Sequence, residues 1–439
     1  MSSRFTYPFC YRPHPRIVEA AHRLISRIDS DPDLHERFRE GKMLGVMMVG
    51  AFLNGQQVYD FIYAFSGLAG GESIVPGFVP PIFDTTSADI DSSSPEESRR
   101  LQEWLFKQYE VLNGLGERSN VADIFAARGL VPPGGTGDCA GPKLLHYAFS
   151  HRLRPIAMGE FWYGRQPAGE VRRQGSFYPS CTGKCGPLLE WMMQGLDVDP
   201  DPLGPDSLWA LGEPTILYED EWLVVADKPS GMLAVPGRTN KKCLQEWLQR
   251  CCGCGILACH RLDMDTSGLM VFAKNAEVQA AIQRQFEERE VRKSYLARLC
   301  PADAPAAGDE AAPALHEGDT GTIRLPLYPD YYDRPRQMVD FEKGKMAVTQ
   351  YEVLRLLPDG SADVRFTPLT GRTHQLRVHA AHRSGLGRPI AGDRLYGGQS
   401  VRTTRLMLHA DTLAFRHPVT FSRLSFSSGH NRITWDDDK

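Results

Sequence analysis

Apolar side chains in the first half of the chain recur in helical patterns. These patterns predict helices over residues 15–39, 96–115, 142–152 and 187–196. The apolar stretch 43–53 (MLGVMMVGAFL) follows a charged segment and is about half as long as the roughly 20 residues that a membrane-spanning helix requires. We therefore expect it to form a buried core helix, and we expect the first half to be mainly helical.

The second half instead shows short β-rich runs. They predict strands over residues 215–218, 222–226, 269–273, 293–299, 348–355 and 362–368. Two clearer helical patterns cover residues 242–250 and 275–290, the second with apolar residues at spacings of three and four. Because strict alternation of strands and helices is absent, the pattern favours an α/β (α+β) domain whose mixed, mostly antiparallel sheet is flanked by helices and loops.

The length of 439 residues exceeds what a single core usually holds, so at least two domains are expected. Residues 75–100, 196–212 and 301–319 are rich in Pro, Ser, Ala and acidic residues, a composition typical of linkers and surface loops. We place a domain boundary in the second of these stretches. It divides the chain into an N-terminal accessory region, 1–204, and a C-terminal domain, 205–439.

Charge and cysteine content narrow the class of protein. The chain carries 50 Lys and Arg against 54 Asp and Glu, a net charge of −4, which excludes a polycationic protein but permits a local basic cleft for a polyanion. Its 10 scattered cysteines favour reduced thiols over a disulfide framework. The N-terminal residues lack the apolar core of a secretory signal. We expect a cytoplasmic protein that does not associate with membranes.

Residues 259–273 (CHRLDMDTSGLMVFA) join a polar, charged turn to an apolar strand. Catalytic groups often lie on such loops, because the sheet holds them rigidly. Asp263 is flanked by Arg261 and His260, so its carboxylate should stay ionised, as a nucleophile or base requires. Taken alone, the motif is more typical of an aspartate that caps a turn and pairs with the neighbouring arginine.

Residues 369–397 (LTGRTHQLRVHAAHRSGLGRPIAGDRLYG) hold a second concentration of polar residues. Thr373 is expected to cap a helix that runs to about residue 384. Arg372 and Arg377 near the start of this helix suit a bound carboxylate or phosphate. Five arginines face one aspartate in this stretch, which predicts a local basic patch: Arg372, Arg377, Arg383, Arg388 and Arg394 against Asp393. A solvated basic helix face is the alternative interpretation.

Five ordered motifs lie between residues 214 and 427. They are DEWLVVADKPSG (220–231), HRLDMDTSGL (260–269), KSYLA (293–297), LTGRTHQLRVH (369–379) and LHADTLAFRHP (408–418). Together they resemble the signature motifs of the RluA family of RNA pseudouridine synthases. The resemblance implies the pseudouridine synthase fold and an isomerase that needs no cofactor. Such an enzyme detaches uracil from C1′ of the ribose, turns it and rejoins it through C5.

The resemblance also implies roles for single residues. Asp263 would be the catalytic aspartate, Tyr295 would stack on the target base, and Arg377 would form an ion pair with Asp263. The aspartate would act as a covalent nucleophile or assist loss of the 2′ proton, and both mechanisms stay open. Because the base must leave its stack, further residues are expected to contact RNA: His260, Arg261, Thr266, Arg372, His374 and Lys228. Of these, His260 and Arg261 are expected mainly to brace the loop or to contact flanking backbone.

The implied partner is structured RNA, in the first place 23S ribosomal RNA and in the second transfer RNA, and a monomer is expected. A catalytically silent RNA-binding or ribosome-assembly protein on the same fold is the main alternative. The presence of Asp263, Tyr295 and Arg377 together argues against it, since a decayed site would tend to lose one of them.

The first 200 residues fall outside this resemblance. Cys139 is expected to begin a helix, and Cys181 and Cys185 show C-x-x-x-C spacing, which departs from the C-x-x-C and nearby glutamate of zinc deaminases. We favour buried free thiols in a region that positions RNA. A structural zinc at these three cysteines, or a second thiol- or zinc-dependent activity, is the weaker alternative. Zinc at the cramped cysteine cluster of residues 251–259 is likewise disfavoured.

Overall fold

The computed structural model describes residues 4–53, 56–83, 95–167, 169–201, 212–237, 243–253, 255–302, 312–331, 333–397 and 405–429. The chain forms two compact units. One comprises residues 1–168, 172–201 and 329–336, and the other comprises residues 169–171, 202–328 and 337–439. The expected boundary at residues 204 and 205 lies outside the described residues. Residues 169–171 belong to the second unit and residues 329–336 to the first, which the composition of the chain does not predict.

The described residues of the first unit form both helices and strands. The helices are α1 (Pro15–Ser30), α2 (Pro32–Phe38), α3 (Pro95–Gln108), α4 (Val121–Ala126), α5 (Ala140–Ser150) and α6 (Gly186–Met192). The strands are β1 (Lys42–Leu53), β2 (Gln56–Phe65), β3 (Glu110–Leu112), β4 (Arg118–Asn120), β5 (Arg154–Tyr163) and β6 (Phe177–Tyr178). The sheet order is β2–β1–β5–β6, and β3 pairs with β4. This unit is a mixed α/β structure rather than the mainly helical one that was expected.

The clearest departure concerns residues 43–53, because the expected core helix is strand β1. This strand is central and pairs antiparallel with β2 and β5. Leu44 and Val46 pack in one apolar cluster, whereas Met47 and Val49 pack in another. Both faces of β1 are therefore buried. Such a strand reads as a continuous apolar run, which hydrophobic periodicity alone does not separate from a buried helix.

The helices expected in the first half are confirmed with shifted ends. The pattern over residues 15–39 forms two helices because the chain breaks at Asp31. The carboxylate of Asp31 accepts hydrogen bonds from the backbone N–H groups of Asp33 and Leu34, at 3.1 and 3.2 Å, and thereby caps α2. Cys139 precedes α5 as expected, but its side chain forms no capping hydrogen bond.

The second unit is built around one large sheet. Its strands are β7 (Thr215–Glu219), β8 (Leu223–Lys228), β9 (Leu257–Ala258), β10 (Ser267–Ala273), β11 (Arg292–Leu299), β12 (Thr320–Pro329), β13 (Gln337–Val339), β14 (Lys345–Leu356), β15 (Ala362–Pro368), β16 (Leu408–Arg416) and β17 (Arg423–Ser427). Its helices are α7 (Leu244–Cys252), α8 (Ala276–Glu287) and α9 (Gln375–Ala381). The six strands and two helices expected from the sequence of this half are confirmed.

The order of the large sheet is β13–β12–β14–β15–β11–β16–β10–β8–β7, with β17 beside β16 and β9 beside β10. β10 runs parallel to β16 and antiparallel to β8, which confirms a mixed, mostly antiparallel sheet. Met270 and Phe272 of β10 pack in one apolar cluster, and Leu269 and Val271 pack in another. A strand buried on both faces is a rigid base for the charged turn that precedes it. None of the helices described is long and apolar enough to cross a membrane.

Candidate active site

Lys228, at the end of β8, forms a hydrogen bond to the charged turn of residues 259–266 and so holds the turn in place. Its Nζ donates hydrogen bonds to the backbone carbonyls of Pro229, Met232 and Met264, at 3.0, 2.8 and 2.9 Å. No part of Lys228 is exposed, and burial lowers its pKa to about 7. The sequence led us to expect an RNA contact from Lys228, but its side chain does not reach a surface that RNA could contact. It fixes the shape of the turn instead.

Asp263 lies within this turn. Its backbone carbonyl accepts a hydrogen bond from the N–H of Thr266 at 3.1 Å, whereas its carboxylate accepts none from the described part of the chain. Its Oδ2 lies 3.8 Å from Nη1 of Arg377 and 3.9 Å from Nε2 of His374, and the side chain is 27% exposed. Burial raises the pKa of Asp263, and the charge of Arg377 opposes this effect. The carboxylate is thus open to a bound molecule.

Arg377, on α9, directs its two hydrogen bonds to Asp393 rather than to Asp263. Its Nε and Nη2 donate to the two carboxylate oxygens of Asp393 at 2.7 and 2.8 Å. Asp393 also accepts hydrogen bonds from the backbone N–H groups of Leu395 and Tyr396. A bidentate pair of this kind fixes the plane of the guanidinium. The expected ion pair between Arg377 and Asp263 is therefore a contact of 3.8 Å, made by the remaining nitrogen Nη1.

Asp265, two residues after Asp263, has a cation of its own. Its Oδ2 accepts a hydrogen bond from Nη2 of Arg394 at 2.9 Å, and its backbone carbonyl accepts one from the hydroxyl of Ser230 at 2.5 Å. Burial acts to raise the pKa of Asp265, but Arg394 and Arg377 outweigh it, so the pKa is lowered. One turn thus carries two carboxylates whose pKa values move in opposite directions, which is typical of acid–base sites.

The start of α9 differs from the expectation. The helix begins at Gln375, after His374 in a left-handed backbone conformation with φ of 52°, and no side chain caps it. Thr373 is therefore not the cap. The side chain of Gln375 holds the preceding loop instead: its Oε1 accepts hydrogen bonds from the hydroxyl of Thr370 and the backbone N–H of Arg372, at 2.7 and 3.0 Å.

His374 lies beside Asp263 and contacts Tyr396. Nδ1 of His374 lies 2.8 Å from the hydroxyl of Tyr396, and the guanidinium of Arg377 lies over the Tyr396 ring, 5.3 Å from its centre. Both His374 and Tyr396 are buried. The structure therefore brings His374 to the carboxylate of Asp263 rather than to the protein surface, which restricts any RNA contact to a nucleotide within the pocket.

Tyr295, on β11, lines a small pocket of about 90 Å³ together with Asp263, Arg377 and His374. Burial raises the pKa of the Tyr295 hydroxyl, and the charge of Asp263 adds to the shift. The hydroxyl consequently keeps its proton at neutral pH. The structure thus gathers the three residues expected to be catalytic around one pocket, although they are far apart in the sequence.

A groove of about 1290 Å³ adjoins the small pocket and shares part of its wall. The groove is lined by residues 233–237, 259–264 and 367–373, by parts of 283–294 and by one residue of β16. Among the described lining residues, five are basic and two are acidic: Arg261, Arg289, Arg292, Lys293 and Arg372 against Asp263 and Glu287. An acidic chain therefore presents a basic surface next to its candidate catalytic carboxylate.

His260 was expected either to brace the loop or to contact flanking RNA backbone, and its hydrogen bond holds the charged turn against β10. Its Nε2 accepts a hydrogen bond from the backbone N–H of Val271 at 3.2 Å, and its ring lies 4.7 Å from that of Phe286. Burial, together with the charge of Lys293, lowers the pKa of His260 to about 3. The imidazole is therefore neutral at physiological pH and cannot attract a phosphate by charge.

The remaining residues that were expected to contact RNA differ in how exposed their side chains are. Thr266 is buried and lines the small pocket, whereas Arg261 and Arg372 are exposed and line both the pocket and the groove. These two arginines are free to meet a polyanion in the groove. Thr266 is accessible only to a group that enters the pocket.

The five arginines of residues 369–397 do not form one basic patch. Arg377 and Arg394 neutralise the buried carboxylates Asp393 and Asp265, and Arg388 is buried and donates to backbone carbonyls. The basic groove is instead supplied largely by β11 and the turn before it. Sequence reasoning counted Asp393 only as a counter-charge. Its position as the one acidic residue among these arginines was the signal for its role.

Cys139, Cys181 and Cys185 belong to the first unit and are free thiols. Hydrogen bonds with Cys139 and Cys181, together with burial, raise the pKa of Cys185. Within the ranges that the structure describes, no group of three His, Cys, Asp or Glu residues is arranged to hold a metal ion. Cys254, part of the second cysteine cluster, lies outside those ranges.

A carboxylate, a tyrosine and a guanidinium around one pocket, beside a basic groove, suit nucleophilic or acid–base chemistry on a nucleotide taken out of its stack. A family model described as RNA pseudouridylate synthase matches residues 222–382. The dual-specificity RNA pseudouridine synthase RluA of Pasteurella multocida (strain Pm70) is 41% identical over 218 residues, which are 48% of this chain and 91% of that relative. This chain belongs to the RluA family of RNA pseudouridine synthases.

A second relative agrees with this family. The dual-specificity RNA pseudouridine synthase RluA of Escherichia coli (strain K12) is 40% identical over 228 residues, 51% of this chain and 94% of that relative. The structure of human RNA Pseudouridylate Synthase Domain Containing 1 covers 53% of this chain and 86% of its own, with 28% identity and a TM-score of 0.40. The family resemblance carried by the five motifs is confirmed, and with it the pseudouridine synthase fold and the class of isomerase acting on RNA. The matched region lies in the C-terminal half.

Proposed function

We propose that this protein converts specific uridines of structured RNA to pseudouridine in the small pocket, with Asp263 as the catalytic residue. The observation that carries the proposal is the Asp263 carboxylate, which accepts no hydrogen bond from the described chain and faces the pocket that Tyr295 and Arg377 also line. In a silent RNA-binding relative, nothing would maintain such an open, desolvated carboxylate beside a fixed cation.

The reaction is an isomerisation. The bond between N1 of the uracil and C1′ of the ribose breaks, a bond between C5 and C1′ forms, C5 loses a proton and N1 gains one. An ionised Asp263 serves either as nucleophile at C1′ or as the base that assists loss of the 2′ proton. In both routes the fixed guanidinium of Arg377 stabilises the carboxylate, and the ring of Tyr295 supports the uracil that has left its stack.

Arg261 and Arg372 contact the RNA on either side of the target nucleotide, since both are exposed at the groove and the pocket. The substrates are ribosomal RNA of the large subunit and transfer RNA. In support, the matched relatives are named dual-specificity enzymes, and a groove that reads backbone rather than base edges suits more than one RNA. The protein acts as a monomer in the cytoplasm, where both RNAs are found.

The region of residues 1–204 serves as an accessory domain that positions RNA for the catalytic domain of residues 205–439. Support for this division comes from the family match, which starts at residue 222 and leaves the first half free for another task. A thiol-dependent second activity of the first half has no comparable support.

The test is pseudouridine mapping of ribosomal and transfer RNA from cells with and without this gene. We expect one or a few uridines to lose modification without the gene and to regain it when the wild-type gene is restored. Restoration by a gene that encodes Asp263→Asn would refute the assignment of Asp263. An unchanged map in cells without the gene would refute the proposed activity on these RNAs.

A further inference from the structure

Lys293 lies on β11, two residues before Tyr295, and lines both the groove and the small pocket. Its Nζ is 5.6 Å from the centre of the Phe286 ring. The same atom is 3.9 Å from the point where a side chain on Gly371 would begin. The ammonium therefore lies where the groove meets the pocket, between an aromatic ring and Gly371, which has no side chain to cover it.

This ammonium lacks the carboxylate partners that Arg377 and Arg394 have. Arg377 is paired with Asp393, and Arg394 is paired with Asp265. No carboxylate in the described part of the chain forms an ion pair with Lys293, whose Nζ lies over the face of the Phe286 ring. Burial lowers the pKa of Lys293, which shows that its charge is partly removed from water.

A partly desolvated charge without a counter-ion is unfavourable, and a ligand that brings an opposite charge relieves the cost. Uracil and ribose carry no formal charge, whereas every backbone phosphate carries one. Lysine binds phosphate as a point charge and needs no second donor to orient it. The anion that suits this position is therefore the backbone phosphate next to the nucleotide in the pocket.

We propose that Lys293 binds a backbone phosphate adjacent to the target uridine and thereby positions that nucleotide at Asp263. The proposal rests on the proposed function, because RNA supplies the anion. The Phe286 ring holds the ammonium by a cation–π contact and keeps it in the wall of the groove. The phosphate then replaces water at the ammonium when RNA binds, and Asp263 stays available for the reaction.

The first experiment measures RNA binding against salt concentration for Lys293→Met, which removes the charge and keeps the length of the side chain. Asp263→Asn is included in every protein so that no turnover occurs during binding, and the probe is a synthetic stem–loop around the uridine that the wild-type protein modifies. Loss of one phosphate contact should reduce the slope of log Kd against log salt by about 0.7 to 0.9. The Kd at low salt should rise on the order of tenfold.

Two matched variants separate charge from packing. Lys293→Arg should restore most of the affinity and the slope, because it restores a cation. Lys274→Met removes a lysine that pairs with Glu219 in the same unit and does not line the groove, so its slope should equal that of the parent. Lys293→Gln, checked with Lys293→Met by thermal unfolding, provides a second neutral side chain if the methionine variant folds poorly.

The second experiment replaces single phosphates of the stem–loop by uncharged methylphosphonates. Replacement of the contacted phosphate should weaken binding to the parent protein on the order of tenfold and binding to Lys293→Met hardly at all, whereas the other positions should affect both proteins equally. An unchanged salt slope in Lys293→Met, or equal sensitivity of both proteins at every phosphate, overturns the proposal. If the wild-type protein forms no pseudouridine, the proposed function itself has failed, which is a different result.

Discussion

Asp263 in the second unit and Glu160 in the first are both carboxylates whose pKa is raised by burial. Glu160 is enclosed by donors: one oxygen accepts a hydrogen bond from the backbone N–H of Gly141 at 3.0 Å, and the other accepts one from the hydroxyl of Ser180. Asp263 accepts none through its carboxylate and faces a pocket beside the guanidinium of Arg377. A raised pKa is common to both carboxylates, so it does not by itself mark a carboxylate as a candidate catalytic group.

The difference lies in what surrounds the oxygens. The hydrogen bonds of Glu160 use its acceptor capacity for the structure of the first unit. The carboxylate of Asp263 is desolvated without being satisfied, and a second carboxylate, Asp393, fixes the nearest cation from behind. Desolvation, free oxygens and a fixed counter-charge are required together if a carboxylate is to react with a substrate.

The largest expected effect tests this comparison directly. Asp263→Asn should lower the rate of pseudouridine formation by about 10⁴-fold or more, because neither the nucleophile nor the base remains. RNA binding should change by less than about threefold, since the amide has nearly the same shape. Rates are to be measured by tritium release from C5 or by mass spectrometry of the product.

Glu160→Gln is the matched control. The amide can still accept from one donor of Glu160 and can donate to the hydroxyl of Ser180, so unfolding should become easier by only about 1 kcal/mol. Turnover should remain within about twofold of wild type. A large loss of turnover in this variant would mean that buried carboxylates of both units contribute to the reaction, and the comparison would break down.

Asp393→Asn should have the next largest effect. The buried guanidinium of Arg377 would lose its bidentate partner, which should cost about 3 to 5 kcal/mol of stability and lower kcat on the order of a hundredfold. Activity requires ionised Asp263, whose pKa is raised in the wild type, so activity falls on the acid side of the pH profile. Without Asp393, the guanidinium can close on Asp263 and favour its ionised form. The acid limb should therefore move to lower pH.

Asp363→Asn separates loss of stability from loss of position. Asp363 is buried between Arg298 and Arg355, at 2.9 and 2.8 Å, and does not line the groove or the small pocket. This variant should lose stability to a similar degree without moving the acid limb. If both variants moved it equally, the role of Asp393 as a positioning residue would be lost.

The sequence predicted the part of the site that depends on local motifs. The charged turn before β10 and the short strands around it were placed correctly, because polar turns beside apolar strands are visible in a single segment of chain. The ion pair of Arg377 with Asp263 was predicted, but the hydrogen-bonded partner Asp393 was not, since this pairing depends on how α9 lies against residues distant from it. The left-handed His374 was also missed, because a threonine before a helical pattern suggests a cap whether or not the backbone adopts it.

The first unit shows the corresponding limit for the fold. The run of residues 43–53 is apolar throughout, and only its pairing with β2 and β5 distinguishes a central strand from a helix. Its two valines and one phenylalanine were compatible with a strand, as were its two glycines, but they did not decide the question. Long-range pairing is thus the information that both the strand β1 and the Arg377 site required.

The smallest expected effect concerns a third buried titratable group, His379 of α9. Neither of its ring nitrogens has a hydrogen-bond partner in the described chain, yet it does not line the pocket or the groove, so lack of a partner should matter here only for stability. Burial lowers the pKa of His379 to about 4 from its ordinary 6.5. Between these two values the unfolded chain binds a proton that the folded protein does not, so stability falls as pH decreases below 6.5.

His379→Leu should remove this dependence. At pH 5.5 the stability of the variant relative to the wild type should be about 1.4 kcal/mol more favourable than it is at pH 7.5. Urea unfolding at the two pH values measures this gain. A difference that stays constant with pH would show that folding does not lower the pKa of His379.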